Sequence, residues 1–470
     1  EIQACDWSSD VCSSDLDKPS GACSTLGGVL VVDVSALKAR VCEEIEKRKD
    51  EIIGIAEDIF AHPELGYKEF RTSGIVGDVF KKMGLSYEDN LAITGKKARV
   101  PGKDHNLNVC IMGELDSVLC PDHPHADPKT GAAHSCGHNG QIASMLGAGL
   151  GLVFSGVMSE LDGDVTLMAV PAEEYVEIEY RDGLRREGKI KFLGGKQEMI
   201  AIGAMDDIDI SMLTHLSAFE DETLKARVGG TSNGFIGKNV FFRGKEAHAG
   251  GAPHKGVNAL KAAMLGLTAI DMQRETFKES DTIRIHPIIT KGGDLVNIVP
   301  ADVRVETYVR GKTVPAILEA CKKVDRSFKA GAMALGAEVE IRTLPGYLPN
   351  SNNPDMVELH RKNLASIVGE EAVKASDDHG TGSTDMGDIA AIMPSIHPYG
   401  GGVKGQGHTK DYVVVDPYTA YIVPAKAMAM TAIDLLANGA AEGLRIKSEF
   451  KPLFTKETYL KMWEEAVAAE

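Results

Sequence analysis

The stretch "NVCIMGELD", residues 108–116, decides how this chain folds, because a short apolar run ends there in acidic residues. Two further runs, "DVTLMAV" (164–170) and "DIDISML" (207–213), are short and apolar in the same way. Such runs are typical of buried strands. Between them lie stretches rich in Ala, Gly and Leu, such as "QIASMLGAGLGLVFSG", which favour helices. The alternation predicts an α/β layer built around a mostly parallel sheet.

The order of predicted strands and helices changes downstream of residue 230. From there the chain shows strand, helix, two strands, helix and strand, which is the ferredoxin-like α+β plan. We therefore predict an inserted domain at 231–343. The first domain would then comprise 35–230 and 344–445, with a C-terminal tail at 446–470. Within the first domain, residues 35–83 have helical spacing, and the charged stretch 179–192 is interpreted as an exposed insertion.

Bulk composition excludes several function classes. The chain has 470 residues, 43% of them apolar, which is enough for two domains. Its formal charge of −17 gives no broad basic footprint for nucleic acid or anionic lipid. We expect no membrane partner, because no apolar run approaches the roughly 18 residues of a span. Eight scattered cysteines without CxxC pairs suit a reducing cytoplasm.

The first sixteen residues need separate treatment. "CDWSSDVCSSDL" (5–16) is similar to the conceptual translation of a common sequencing adapter. Residues 1–16 are therefore interpreted as an artefact and excluded from fold reasoning. Whether residues 17–34 belong to the native protein stays open.

Polar residues with metal-binding chemistry follow the predicted strands or lie beside them. In open α/β sheets, ligands bind beyond the carboxyl ends of the strands, so these groups should meet at one edge. The candidates are Asp116, Cys136 with His138, Glu173 with Glu174, and His215. Each alone has an ordinary structural explanation, such as a buried cysteine or a solvated acidic loop. Together they provide thiolate, imidazole and carboxylate ligands, which favours a zinc-like ion.

Two rival hypotheses remain open at this point. Cys136 could be the nucleophile of a cysteine amidohydrolase, which needs a Cys–His pair with an orienting third group. Such an enzyme has no need of the vicinal pair Glu173–Glu174. In a metal enzyme those carboxylates have a division of labour, since one can bind metal while the other takes a proton from water. The second rival is a non-catalytic binding subunit with the same fold.

The chain also resembles a known family over about residues 36–460. The motifs that carry the resemblance occur in the family's order: "HPELGYKE", "CGHNGQ", "PAEE", "GAMDDIDISMLTH", "EAHAGGAPHKGVNAL", "VNIVPADVRVETYVR", "GSTDMGDI" and "GHTKDY". They are similar to those of the aminoacylase/carboxypeptidase metallohydrolases of peptidase family M20, subfamily D. In spelling they most resemble the p-aminobenzoyl-glutamate hydrolase type. The subfamily more often reads "CGHDGH", so Asn139 and Gln141 are departures, and they put the substrate class in question.

The resemblance implies a zinc-peptidase-like catalytic domain and an inserted dimerisation domain. It also implies a metal centre of two divalent ions, zinc, manganese or cobalt. Glu173 would be the general base, and Asp116 would orient a ligand imidazole. The implied metal ligands are Cys136, which would bridge the ions, His138, Glu174, His215 and His408.

The resemblance further implies how substrate is held. His248, in the inserted domain, would contact the oxyanion of the tetrahedral intermediate. The active site that it reaches would be that of the partner subunit in a homodimer. Asn297 and Arg310 would hold a substrate carboxylate, since a guanidinium can bind it in bidentate fashion. Asp385 would either orient His408 or shape the pocket. The expected activity is hydrolysis of the amide bond in N-acyl amino acids or small dipeptide-like substrates with a free carboxylate.

Overall fold

The structure is a computed structural model that describes residues 25–26, 29–30 and 32–468. Residues 1–16, interpreted above as an artefact, therefore lie outside the described residues. The strands Thr25–Leu26 and Val29–Leu30 form a short antiparallel pair of their own. From Val34 onward the chain forms a single contact unit that contains every feature discussed below.

A six-stranded sheet lies at the centre of this unit. From one edge to the other its strands are Ser395–Ile396, Ile210–Met212, Asn108–Glu114, Asp164–Val170, Gly95–Val100 and Tyr87–Leu91. The first four strands run parallel to one another. Each of the last two runs antiparallel to the strand before it in this order. Asn108–Glu114 and Asp164–Val170 are buried at every position, as apolar strands covered on both faces should be. The predicted α/β layer with a mostly parallel sheet is confirmed.

Helices cover this sheet. The helices outside the antiparallel unit described below are Val34–Lys47, Lys49–Phe60, Phe70–Lys82, His138–Phe154, Ile178–Arg186, Gly195–Ala201, Pro354–Val368, Met386–Ala390 and Val423–Glu449. The last helix, Lys456–Ala468, packs on the strand Glu338–Tyr347 of the antiparallel sheet. The glycine-rich helix His138–Phe154 is buried along almost its whole length. Its small residues permit close packing, because a Cβ on Gly149 would lie 2.4 Å from Leu167 Cδ1.

A smaller five-stranded sheet forms one wall of the cleft described below. Its strands are His215–Leu216, Ala226–Ser232, Asn350–Ser351, Val373–Gly380 and Tyr399–Gly400. Ala226–Ser232 lies inside this sheet, pairing with Val373–Gly380 on one side and with Tyr399–Gly400 on the other. The sheet therefore ties segments from distant parts of the sequence to the loop that carries His215. Two further strand pairs are short: Val118–Leu119 with Ala132–Ala133, and Val403–Lys404 with Val413–Val414.

An antiparallel sheet occupies the middle of the sequence. Its strands are Gly234–Arg243, Arg284–Ile285, Ile288–Lys291, Asp302–Gly311 and Glu338–Tyr347. The helices Ala259–Met272 and Val314–Leu335 pack on it and against each other. The order of elements is that of the predicted ferredoxin-like unit, so the predicted fold class is confirmed. The last strand continues past residue 343 to Tyr347, and the domain boundaries themselves stay a prediction.

Two stretches differ from what the sequence predicted. The charged stretch 179–192 is not an exposed insertion, since it forms most of helix Ile178–Arg186 and Arg181 is 0% exposed. Residues 446–470, predicted as a tail, contain the helix Lys456–Ala468, whose Tyr459 and Trp463 are buried. In both stretches a few buried side chains decide the packing, while the overall composition is polar.

Among the described residues, one helical segment has the length and composition of a membrane span. Tyr418–Glu449 has a mean hydropathy of 1.4 in its most apolar window, but 94% of that window is buried inside the protein. The helix Val423–Glu449 contacts Val34–Lys47, His138–Phe154 and Pro354–Val368. The apolar composition of this segment follows from its place in the core.

Candidate metal centre

Three parallel strands end side by side at one edge of the central sheet. Asn108–Glu114 pairs in register with Asp164–Val170 and, on its other side, with Ile210–Met212. The chain leaves all three at neighbouring points, as the strand order requires. The predicted site residues that follow these strands are Asp116, Glu173, Glu174 and His215.

Cys136 and His138 reach the same edge from the turn that begins helix His138–Phe154. Between them Gly137 has a φ of +89°, a conformation that favours glycine. A Cβ at Gly137 would also lie 2.5 Å from the Tyr412 hydroxyl and 2.9 Å from Leu216 Cβ. The motif "CGH" therefore needs its glycine to point both ligand side chains into the site.

Cys136 is the centre of the cluster. Its Sγ lies 3.3 Å from Nε2 of His215 and 3.2 Å from Nε2 of His408. The ligand atoms of Cys136, His138 and His215 lie within 4.8 Å of one another. Those of Cys136, Glu174 and His408 form a second group of the same size. Both triads include the sulfur of Cys136, so thiolate, imidazole and carboxylate ligand atoms converge around it.

Asp116 supports a ligand from each triad. Nδ1 of His138 lies 2.9 Å from the backbone oxygen of Asp116 and 3.3 Å from its Oδ1. With both oxygens on that side, the ring proton belongs on Nδ1, and Nε2 presents its lone pair to the site. The other carboxylate oxygen of Asp116 accepts a hydrogen bond from the backbone N–H of Glu174 at 2.9 Å. This is the geometry of a carboxylate that orients metal ligands.

Two buried polar atoms in the centre have close neighbours but no hydrogen bond. Nε2 of His138 lies 3.0 Å from Oε2 of Glu114, and Oε1 of Glu174 lies 3.0 Å from Nε2 of His408. Neither pair is aligned for a hydrogen bond. Buried polar atoms are normally paired, so lone pairs that converge in this way indicate a site for a cation. The residues present therefore fit the implied divalent ions.

Electrostatics keep the ligand atoms anionic. Burial, and then Glu174, oppose ionisation of the Cys136 thiol, but the neighbouring imidazoles outweigh both and lower its pKa to about 6. Burial also opposes ionisation of Glu174, yet His408 lowers its pKa to about 2. Glu174 in turn raises the pKa of His408 to about 11. Thiolate and carboxylate are the forms that bind metal ions.

Glu173 behaves differently from its neighbour. Its Oε2 lies 3.9 Å from Nε2 of His138, at the margin of the cluster. Burial, and after it the carboxylates of Glu114 and Glu174, raise the pKa of Glu173 well above its usual range. Adjacent glutamates with opposite pKa shifts match a proton acceptor beside a ligand.

The backbone around Glu173 is held by residues from three other segments. Ala172, which is fully buried, has a φ of +54°, and its N–H donates to Oε1 of Glu69 at 2.8 Å. Arg181 donates to the carbonyl of Ala172 at 3.3 Å. The Tyr347 hydroxyl donates to the carbonyl of Glu173. These contacts together hold Ala172 in its strained conformation. Strained backbone persists at functional sites where the surrounding contacts fix it in this way.

A buried ion network behind His138 was missed by the sequence analysis. Glu114 is the last residue of its strand, two residues before Asp116, and binds the Nζ of Lys196. Lys196 also binds Asp385 through Nζ and through its backbone N–H. All three side chains are 0% exposed. The carboxylate of Asp385 therefore pairs with Lys196, so of the two roles left open for Asp385, orienting His408 is not the one that the structure shows.

The two departures from the usual motif point into the core. Nε2 of Gln141 donates to Oε2 of Glu114 at 2.7 Å. Nδ2 of Asn139 donates to the backbone oxygen of Ala56 and to the hydroxyl of Tyr421, each at 3.2 Å. Neither side chain lines the cleft, so they support the site from behind.

A cleft of about 520 Å³ opens in front of the cluster. Arg310 lines it from the antiparallel sheet, donating to Oγ of Ser383 at 2.8 Å and contacting Nε2 of His286 at 3.0 Å. The other two residues predicted to meet substrate do not reach this cleft within the chain. His248 and Asn297 are exposed, and they lie beside each other, since the N–H of Ala249 donates to the carbonyl of Asn297 at 2.9 Å.

The pattern of peptidase family M20/M25/M40 matches residues 110–447. The match spans well over half of the chain and contains every predicted metal ligand. The chain belongs to peptidase family M20/M25/M40. It is therefore a hydrolase of amide or peptide bonds, and the family predicted from the motifs is confirmed.

Relatives and solved structures agree with this assignment. The Xaa-Arg dipeptidase of Mus musculus is 27% identical over 457 residues, which cover 91% of this chain and 95% of the relative. A dinuclear metal-binding M20 peptidase of Bacillus subtilis superposes with a TM-score of 0.60 at 18% identity, over 83% of this chain and 99% of that one. The aminobenzoyl-glutamate utilization protein of Klebsiella pneumoniae gives 0.62 at 18% identity, over 83% and 97%. These two structures show the shared fold.

Proposed function

We propose that this M20 hydrolase is metal-dependent and cleaves N-acyl amino acids or small dipeptide-like amides that carry a free carboxylate. The observation that carries the proposal is the pair of ligand triads that share the buried thiolate of Cys136. A dipeptide, the substrate in the name of the mouse relative, is itself a small amide with a free carboxylate. The cleft is of a size suited to such molecules.

The metal centre would hold two divalent ions, zinc, manganese or cobalt. His138 and His215 would bind one ion, Glu174 and His408 the other, and Cys136 both. When bound, such ions lower the pKa of a coordinated water and polarise a carbonyl oxygen. The thiolate favours zinc, while the carboxylate also admits manganese or cobalt.

Glu173 would move the proton. Its carboxylate would accept a proton from the attacking water and pass it to the leaving nitrogen as the amide C–N bond breaks. The products are a carboxylic acid and an amine, and one water is consumed. The raised pKa of Glu173 supports this role, because a carboxylate with a higher pKa is a stronger proton acceptor.

Arg310 would hold the substrate carboxylate at the far side of the cleft. His248 and Asn297 would complete the site of a partner subunit, which is consistent with their exposure and their distance from the cleft of their own chain. Exposed apolar side chains on and beside the antiparallel sheet support a homodimer formed there: Ile288 at 60% on a strand, and Leu295 at 61% and Val296 at 101% in the loop that follows that strand. We keep the division into a catalytic domain and an inserted dimerisation domain, and a cytoplasmic location, as part of this proposal.

The rivals make different use of the same residues. A cysteine amidohydrolase would use the low pKa of Cys136 and one histidine, but it leaves the second triad without a role. A non-catalytic binding subunit leaves the opposite pKa shifts of Glu173 and Glu174 without a role. The metal hydrolase accounts for both observations.

The test is a hydrolysis screen of N-acyl amino acids and dipeptides, with the purified protein first treated with EDTA and then supplied with zinc, manganese or cobalt. We expect chelation to abolish turnover and one of the ions to restore it. Activity that survives chelation with the metal removed would favour the cysteine enzyme. No turnover with any ion across the screen would favour the non-catalytic rival.

A further inference from the structure

A second arginine besides Arg310 faces the cleft. Arg227 lies on the strand Ala226–Ser232 of the smaller sheet, directly opposite Tyr399 of the neighbouring strand. Its guanidinium carbon lies 4.7 Å from the centroid of the Tyr399 ring. That ring is 5.6 Å from the ring of His215, so Arg227 is separated from the metal centre by a single aromatic side chain.

The positive charge of Arg227 is not neutralised by the protein. Among the described residues, no carboxylate lies within 4.0 Å of the guanidinium of Arg227 or of Arg310. Besides Glu173 and Glu174 at the metal centre, the cleft lining has one acidic side chain among the described residues, Asp378, which accepts a hydrogen bond from Oγ of Ser376 at 2.8 Å. Away from Glu173 and Glu174, the cleft therefore presents two guanidinium groups and one carboxylate, which already has a hydrogen-bond partner.

Stacking on an aromatic ring does not by itself explain this arrangement. Arg342 also stacks, with its guanidinium carbon 4.5 Å from the ring of Phe241, but it is paired with Glu340 at 2.6 Å. Arg227 lies over the ring of Tyr399 but has no carboxylate partner among the described residues. The guanidinium of Arg227 lies over the Tyr399 ring, and its planar fork of N–H groups matches the two oxygens of a carboxylate.

We infer that Arg227 forms a second anion subsite, and that the preferred substrate is an amide with two carboxylates. This inference rests on the proposed function, in which Arg310 takes the first carboxylate. The second carboxylate belongs either to the side chain of an acidic amino acid or to a dicarboxylic acyl group. In either case it would replace water at a half-buried cation, which makes the interaction stronger than a pair at the open surface.

The test compares charged substrates with neutral ones of the same shape. N-acetyl-glutamate is paired with N-acetyl-glutamine, and N-succinyl-alanine with its succinamoyl counterpart. One charged member should exceed its neutral partner in kcat/KM by about 10- to 100-fold, the factor expected for one charge-assisted contact, and the difference should lie in KM. The pair that shows the difference identifies which end of the substrate carries the second carboxylate.

Three variants locate the effect. Arg227→Met should lower kcat/KM for the charged substrate to that of the neutral one, without changing metal content or the turnover of the neutral one. Arg227→Lys keeps a charge and should retain part of the preference. Arg342→Met, an arginine stacked on a ring outside the cleft, should behave as wild type.

The outcomes separate this inference from the proposed function. Amide hydrolysis without preference for either charged substrate would overturn the second subsite and leave the proposed function standing. A preference that survives in Arg227→Met would also overturn it. Failure of the metal-supplied enzyme to cleave any member of the panel would overturn the proposed function and, with it, this inference.

Discussion

Replacing Lys196 by methionine tests the buried ion network behind the metal centre. Lys196 is 0% exposed and is the shared cation of Glu114 and Asp385, which are equally buried. Methionine keeps most of the volume and removes the charge. Breaking a buried ion pair by removing one partner costs about 3–5 kcal/mol, because it leaves an uncompensated charge in the interior. Two carboxylates lose their partner here, so we expect the upper part of that range.

The loss can be expressed as a shift in the thermal midpoint. Unfolding entropy is about 2.1 cal/mol/K per residue, so the roughly 435 residues from Val34 to Ala468 give about 0.9 kcal/mol/K. We therefore expect Lys196→Met to lower the midpoint by about 4–6 °C in differential scanning calorimetry. The matched control is Lys456→Met, whose partner Asp206 lies 2.7 Å away at the surface. Exposed pairs contribute about 0.2–1 kcal/mol, which corresponds to a shift of about 1 °C or less.

A double variant makes the reasoning refutable. Lys196→Met combined with Asp385→Asn should recover part of the lost stability, because one of the two stranded charges is removed. A midpoint for Lys196→Met equal to that of the Lys456→Met control would refute the account. It would mean that Glu114 and Asp385 are neutral in the folded protein and that no buried charge depends on Lys196.

Three further predictions concern catalysis, acid stability and assembly. Glu173→Gln should keep its metal and lose turnover by about 10²- to 10⁴-fold, whereas Glu174→Gln should lose metal; the reverse pattern in metal analysis would exchange their roles. Burial lowers the pKa of His360 from 6.5 to about 4, so the unfolded state binds more protons between these values and stability should fall as the pH drops from about 6.5 to 4. His360→Gln, which can still contact Thr431, should flatten this fall in urea unfolding, and an unchanged slope would exclude His360 as its source. Val296→Asp should shift the protein from dimer to monomer in light scattering, and an unchanged mass would place the interface elsewhere.

The sequence could identify those site residues that directly follow a strand or precede a helix. Asp116, Glu174 and His215 each come just after a recognisable apolar run, and parallel strands bring such positions together. Cys136 could be placed beside them because its loop begins a helix in the same layer. Local pattern and one topological rule were sufficient for this part of the site.

The supporting residues depend on contacts that no local pattern shows. Glu114, Lys196 and Asp385 lie far apart in the sequence and meet only when the sheet and helices pack. Arg181 lies in a stretch whose charged composition favours exposure, and nothing in that stretch indicates that this one side chain is 0% exposed. For Glu114 a signal was available, since it is an acidic residue at the end of a buried strand, two residues before Asp116.

The central claim is that the thiolate of Cys136 is a metal ligand and not the nucleophile. Peptide mass mapping of iodoacetamide labelling, with and without EDTA, tests it most directly, because metal coordination commits the thiolate and lowers its availability. Cys42, which is partly exposed and lies outside the metal centre, serves as an internal control for reagent access. We predict that Cys136 resists labelling in the metal-replete, active protein and is labelled after chelation, while labelling of Cys42 does not change. Rapid labelling of Cys136 in the metal-replete, active protein would contradict the account.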